Sequence, residues 1–234
     1  MFGSKRKQPL GTRERPYLNL TNPGQRPGGG RAIPVQNVNL TRSPADDTDP
    51  VWSPDGTKIL FASNGEDTNG DMRIDKVRDD GTYHIWIMNP DGSGQQQLTH
   101  DPGNQVEPAW SPNGLRIAYA SNEEGDYEIY LLTLSTREKV KLPVGPSEER
   151  HPTWAAGGDV IAFSTDRDGL HKIYSMRADG RHLTPLTKGP SEDRNPVWSP
   201  DGQSILFESN GVDTDNDGVI DATTNTTRIW RMSY

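Results

Sequence analysis

Trp52, Trp110, Trp154 and Trp198 mark the same point in four copies of one repeated unit. An apolar stretch begins seven residues after each of them, at Ile59, Ile117, Ile161 and Ile205. Eleven residues before each Trp, a short stretch ends at Thr41, Thr99, Pro143 and Thr187. A fixed period of this kind governs the fold more tightly than any local propensity, because each unit buries its apolar face only against its neighbours.

Within the first copy, Pro50-Val51-Trp52 reads as a short strand and Ser53-Pro54-Asp55-Gly56 as a turn. Pro presets φ there, and Gly accepts the closing geometry. Strands are expected at 58–63 and 85–88, the turn Asn89-Pro90-Asp91-Gly92 follows, and 96–99 reads as a fourth strand. The other copies repeat the order, although the third replaces the first turn with Ala155-Ala156-Gly157-Gly158. Four antiparallel strands per unit predict an all-β fold, a four-bladed β-propeller. The blades are expected at about 49–99, 107–143, 151–187 and 195–234. The last copy ends one strand short, and the leading stretch 36–41 has no copy before it. Residues 36–41 are therefore expected to complete the last blade, either its own or a neighbour's. Each Trp is expected to fill the wedge between adjacent blades.

Only 30% of the 234 residues are hydrophobic, while 24 Gly and 19 Pro supply turns. No run approaches the roughly 18 apolar residues that cross a membrane, and residues 1–12 lack the apolar stretch of a signal peptide. With no cysteine in the chain, disulfides and thiolate chemistry are excluded. Charge divides sharply. Residues 1–34 hold Lys5, Arg6, Lys7, Arg13, Arg15, Arg26 and Arg31 against Glu14 alone, a net +6, so residues 35–234 carry −14 of the total −8. A basic arm, 1–34, on an acidic propeller, 35–234, predicts electrostatic docking between copies of the chain or onto another envelope or extracellular protein. An acidic body repels phosphates, which argues against a nucleic-acid partner.

The Pro-x-Trp-Ser-Pro-Asp-Gly turn, the Ile-x-Phe/Tyr strand and the Ile-Trp/Tyr-x-Met strand resemble the WD-repeat-like blades of the periplasmic TolB family over about residues 36–234. The resemblance implies a propeller fold and a scaffold that contacts envelope proteins. TolB-type propellers are expected to have six blades, against the four copies counted here.

Two copies carry long insertions between their second and third strands. Copy four reads Asp213-Thr214-Asp215-Asn216-Asp217-Gly218-Val219-Ile220-Asp221, and copy one reads Asp67-Thr68-Asn69-Gly70-Asp71-Met72-Arg73-Ile74-Asp75. Alternate oxygen donors in a tightly wound loop suit Ca²⁺. Closely packed carboxylates also repel one another without a cation. The pattern is similar to the nine-residue calcium hairpin loops of integrin α propellers. Carried over by position, that resemblance implies Asp213, Asp215, Asp217, the Val219 carbonyl and Asp221 as ligands, the stronger site. Its counterpart is Asp67, Asn69, Asp71, the Arg73 carbonyl and Asp75, where Asn69 removes a charge and Met72 stands in place of the turn glycine.

Asp49, Glu107, His151 and Asn195 share a further repeat position, three before each Trp, and could ring one end of the channel. With no nucleophile elbow, phosphate loop or His-Glu-x-x-His motif, no catalytic residue is assigned. The expectation is a non-enzymatic, calcium-binding interaction module, self-assembling as an oligomer or filament and located outside the cytoplasm. A TolB-like periplasmic scaffold is one alternative. A lyase or hydrolase acting on acidic sugars through the ring is the other.

Overall fold

The computed structural model describes residues 37–215 and 220–234. The first copy forms β1 (Asp47–Trp52), β2 (Ile59–Ser63), a two-stranded ribbon of β3 (Gly65–Glu66) and β4 (Lys76–Val77), then β5 (His84–Met88) and β6 (Gln96–Gln97). The second forms β7 (Gln105–Trp110), β8 (Arg116–Ser121), β9 (Glu128–Thr133) and β10 (Lys139–Lys141). The third forms β11 (Glu149–Trp154), β12 (Val160–Thr165), β13 (Lys172–Arg177) and β14 (Thr184–Pro185). The fourth forms β15 (Asp193–Trp198), β16 (Ser204–Val212) and β17 (Ala222–Ser233). Each copy is its own antiparallel sheet in simple sequential order, four-stranded in the first three and three-stranded in the fourth.

The turn after each Trp is built as the sequence suggests. Ser53 Oγ donates to Asp55 Oδ1 at 2.6 Å and accepts from Lys58 N at 2.9 Å, while Gly56 takes the left-handed conformation (φ +69°) that closes the turn. Ser111 with Asn113 and Ser199 with Asp201 repeat the arrangement. The second strand of each blade is the most buried. Phe61, Ile117, Tyr119, Ile161, Phe163 and Ile205 lie in the core. Truncating one such aromatic costs about 3–5 kcal/mol.

The wedge role expected of the tryptophans holds where a preceding blade exists. Trp154 is buried, donates Nε1–H to Ala109 O of the second blade at 3.2 Å and lies beneath the Arg116 guanidinium. Trp198 is buried against Ala155, Ala162 and Ile173 of the third blade. Trp52 is 57% exposed, because no blade among the described residues packs on it. At the other end, Val197, Leu206 and Ile229 of the fourth blade are also exposed.

The expected closure within one chain is not found: among the described residues the four sheets do not close into a ring. Gln36 and the whole 1–34 arm lie outside the described residues. Residues 37–41 form no strand and do not complete the fourth blade. Leu40 instead packs beside Phe61, Ile74, Trp86 and Met88 of the first blade. The backbone of Leu40 passes so close to Gly92 that a β-carbon there would sit 2.2 Å from the Leu40 carbonyl oxygen. Gln95 secures the contact. Its Nε2 donates to Thr41 O at 3.0 Å, and its Oε1 accepts from Ile74 N at 3.0 Å. Gln95 is buried, so losing these bonds would leave its amide without partners, at a cost of about 1–3 kcal/mol.

Candidate functional site

The four residues three before each Trp occupy one conformation. Asp49, Glu107, His151 and Asn195 all have φ between +53° and +56°. Each sits where its strand slips register against the next strand of the blade. Each also precedes a proline: Pro50, Pro108, Pro152 or Pro196. Proline has no N–H to give the ladder, so the strand bulges there and turns the preceding residue into the left-handed region. That region is costly for residues other than glycine, and it recurs in all four blades.

The bulge exposes a backbone N–H, and the preceding blade answers it. Glu107 N donates to Asp49 Oδ2 at 3.2 Å, and His151 N donates to Glu107 Oε2 at 2.6 Å. Glu107 also accepts from Arg150 Nε at 3.0 Å and lies 3.1 Å from His151 Nε2. Arg150 stacks its guanidinium 4.0 Å over the ring of Tyr127. Burial lowers the His151 pKa against the opposing pull of Glu107, which favours the neutral ring at pH 7. Asn195 keeps the position, but its Oδ1 is buried without a hydrogen-bond partner. Thus Asp49, Glu107 and His151 form a connected polar collar, with Arg150 as its cationic member. Arg150 escaped the sequence reading because it falls one place off the repeated position.

A second repeated contact also escaped it. In blades two to four, the residue five before the Trp meets the first residue of the third strand in the preceding blade. His84 Nδ1 and Gln105 Oε1 lie 2.6 Å apart. Lys172 Nζ lies 3.2 Å from Asp193 Oδ2, and both side chains are almost fully buried. Between them, Glu149 meets Glu128. Burial is the main cause that raises the Glu149 pKa to about 8, and a hydrogen bond to Glu128 adds to it. The signal in the sequence was the pairing of Gln105, Glu149 and Asp193 with His84, Glu128 and Lys172 at a constant spacing of 21 residues.

The two insertions emerge as ribbon tips. β3 and β4 carry loop 67–75, while β16 and β17 carry loop 213–221. Asp67 accepts from Gly70 N at 2.7 Å and Met72 N at 2.9 Å; Asn69 Oδ1 accepts from Asp71 N at 2.9 Å. The loop ends are clasped alike: Thr68 N to Asp75 Oδ1 at 3.1 Å and Thr214 N to Asp221 Oδ1 at 3.2 Å. Arg73 is exposed, and Met72 adopts φ +62°, the conformation a glycine there would take without strain. Ile74 and Ile220 fold back over Gly65 and Gly211, where a β-carbon would clash at 2.1 and 2.3 Å. That anchor, a glycine two before the first Asp and an isoleucine before the last, was present in both loops and went unread. Asp213 and Asp215 are described; Asp217 and Val219 lie outside the described residues.

Residues 71–218 match the TolB beta propeller domain family. The Tol-Pal system protein TolB of Albidiferax ferrireducens is 44% identical over 41 residues, which is 18% of this chain and 10% of that protein. Dipeptidyl-peptidase 5 of Porphyromonas gingivalis is 37% identical over 71 residues, 30% of this chain and 9% of that protein. A Bacillus subtilis protein named as the uncharacterized peptidase YuxL is 30% identical over 77 residues, 33% of this chain and 10% of its own. The chain thus spans about a tenth of the length of these curated relatives. Among solved structures, TolB from Acinetobacter baumannii superposes with a TM-score of 0.60 at 19% identity, covering 81% of this chain and 41% of that one. A putative TolB from Agrobacterium tumefaciens gives 0.59 at 23% identity, with 83% and 79% covered. The expectation of a non-enzymatic chain is corrected by these relatives. The same repeat occurs in proteins named as peptidases, so it does not mark a class without catalysis.

Proposed function

The chain belongs to the TolB beta propeller domain family, and from that membership we propose that it is a TolB-like propeller that docks polypeptide partners in the cell envelope. The observation that carries this reading is the collar of Asp49, Glu107, His151 and Arg150. Its backbone donors are answered blade to blade, so its polar atoms are held in place before any partner arrives. Pre-ordered polar groups lower the entropic cost of binding. The reading is compatible with the relatives named as peptidases, whose substrates are polypeptides by name. The acidic body favours basic segments, and the 1–34 arm of a second copy is one such segment.

The test is fluorescence anisotropy of labelled peptides against the full chain: residues 1–34, and an acidic peptide of equal length. The basic peptide is expected to bind, to weaken as salt is raised and to weaken in Asp49→Asn. Absence of binding by either peptide overturns the reading, as does binding that ignores both salt and the substitution.

The insertion tips add a proposal about ions. Asp67, Asn69, Asp71, the Arg73 carbonyl and Asp75 would hold one Ca²⁺. Asp213, Asp215, Asp217, the Val219 carbonyl and Asp221 would hold another. All-oxygen donor sets on clasped loops suit that ion. Loops of modest affinity fill at millimolar calcium, in keeping with a periplasmic or extracellular location.

A further inference from the structure

Every blade ties the entry of its first strand to the exit of its second by one side-chain clasp. Asp46 N donates to Asn64 Oδ1 at 2.9 Å, Asn104 N to Asn122 Oδ1 at 2.6 Å, and Glu192 N to Asn210 Oδ1 at 2.7 Å. The third blade makes the same bond, Glu148 N to Asp166 Oδ1 at 3.0 Å, but with a carboxylate. An amide meets the structural need in the other three. The charge on Asp166 is therefore not required by the fold.

The surroundings of that charge differ as well. Immediately before the third strand, blades one and two carry Tyr83 and Tyr127, whereas blade three carries His171. One ring nitrogen of His171 and one carboxylate oxygen each from Glu148 and Asp166 lie within 4.8 Å of one another. His171 is only 9% exposed, and its Nδ1 is buried without a hydrogen-bond partner. An unmatched imidazole nitrogen costs about 1–3 kcal/mol of desolvation. A bound cation gives the ring a partner and screens the two acids from each other. Its backbone N–H is separately engaged, donating to Glu192 Oε2 at 3.2 Å. Arg194, whose positive charge acts on His171, is paired with Glu192 at 3.2 Å.

We propose that Glu148, Asp166 and His171 form a binding site for a divalent transition metal of the Zn²⁺ class. One imidazole nitrogen with two carboxylate oxygens is a borderline donor set that suits Zn²⁺, Mn²⁺ or Fe²⁺ better than Ca²⁺. Metal–ligand bonds of about 2.0–2.2 Å draw the three donors together by roughly 1 Å. Glu148 and Asp166 are half-buried, so one side of the site faces solvent. Three protein ligands leave a coordination position for water or for a donor on a partner.

The repeat supplies the test variants. Asp166→Asn installs the residue of the other three blades, and His171→Tyr installs that of blades one and two. Both should preserve the clasp and the fold. Tag-free full chain, stripped with chelator and held in millimolar Ca²⁺, is titrated with Co²⁺ and then Zn²⁺. Visible absorption and the imidazole NMR signals are followed. The wild type is expected to take up one Co²⁺ with a shift of the His171 resonances, and Zn²⁺ should displace it. Each variant should weaken binding at least tenfold. A wild type with no saturable one-equivalent uptake, or with unmoved His171 signals, overturns the proposal whatever the variants do. Equal binding by wild type and a variant that melts normally also overturns it.

Discussion

Replacing Glu149 with Gln should stabilise the protein, and the gain should grow with pH. Glu149 is fully buried, and it accepts from Ser147 Oγ at 2.6 Å and Thr165 Oγ1 at 3.1 Å. Its Oε2 and that of Glu128 are both buried without a hydrogen-bond partner, so a proton held on Glu149 supplies a donor that the two carboxylates lack. Lys141 Nζ lies 3.0 Å from Glu128 Oε1 on the other side of the pair. The pKa of Glu149 rises from an ordinary 4.5 to about 8. Between those values the folded chain holds a proton that the unfolded chain has released, so stability falls as pH rises through that window. At about 1.4 kcal/mol for each pH step above 4.5, the loss reaches about 3.5 kcal/mol near pH 7. Lys141 is partly exposed, and its rearrangement with solvent should reduce this to about 1–2 kcal/mol. Gln keeps one donor for Glu128 and one acceptor for the hydroxyls, and carries no proton to lose. Urea unfolding of both proteins at pH 5, 7 and 9 measures the difference. The variant should be close to wild type at pH 5 and clearly more stable at pH 9. A difference that stays constant across this range would falsify the account of a proton held on Glu149.

Four further outcomes follow from the same structure. Asp193→Asn leaves the buried Lys172 ammonium without its counter-charge and should cost about 3–5 kcal/mol in denaturant unfolding. Gln95→Ala removes the amide joining Thr41, Gly92 and Ile74; it should cost about 2–3 kcal/mol and speed hydrogen exchange at Ile74. Met72→Gly relieves an exposed left-handed residue and should raise stability by about 1 kcal/mol, read as a higher melting temperature. Millimolar Ca²⁺ should raise the melting temperature reversibly, with a smaller rise in Asp217→Ala; an unchanged curve under excess chelator removes calcium from the account.

The sequence by itself determined the blades. Trp, turn and apolar strand recur at fixed spacing, and each local choice agrees with a four-stranded antiparallel sheet, so the sheets followed from the pattern. The Asp-Pro, Glu-Pro, His-Pro and Asn-Pro pairs also marked the four bulges, because proline has no N–H to give the ladder there. Closure was different. The leading stretch 36–41 matched the missing strand in spacing, yet spacing cannot weigh one docking place against another. Gln95 and Gly92 offered that segment a buried amide and a side-chain-free gap on the first blade, and tertiary packing decided the matter. The contacts between blades lay equally beyond local reading. His84 with Gln105, Glu128 with Glu149, and Lys172 with Asp193 are neighbours only once blades stack. The same holds for Glu148, Asp166 and His171. Each lies in a separate segment of its blade, and only the fold brings their donors within reach of one ion.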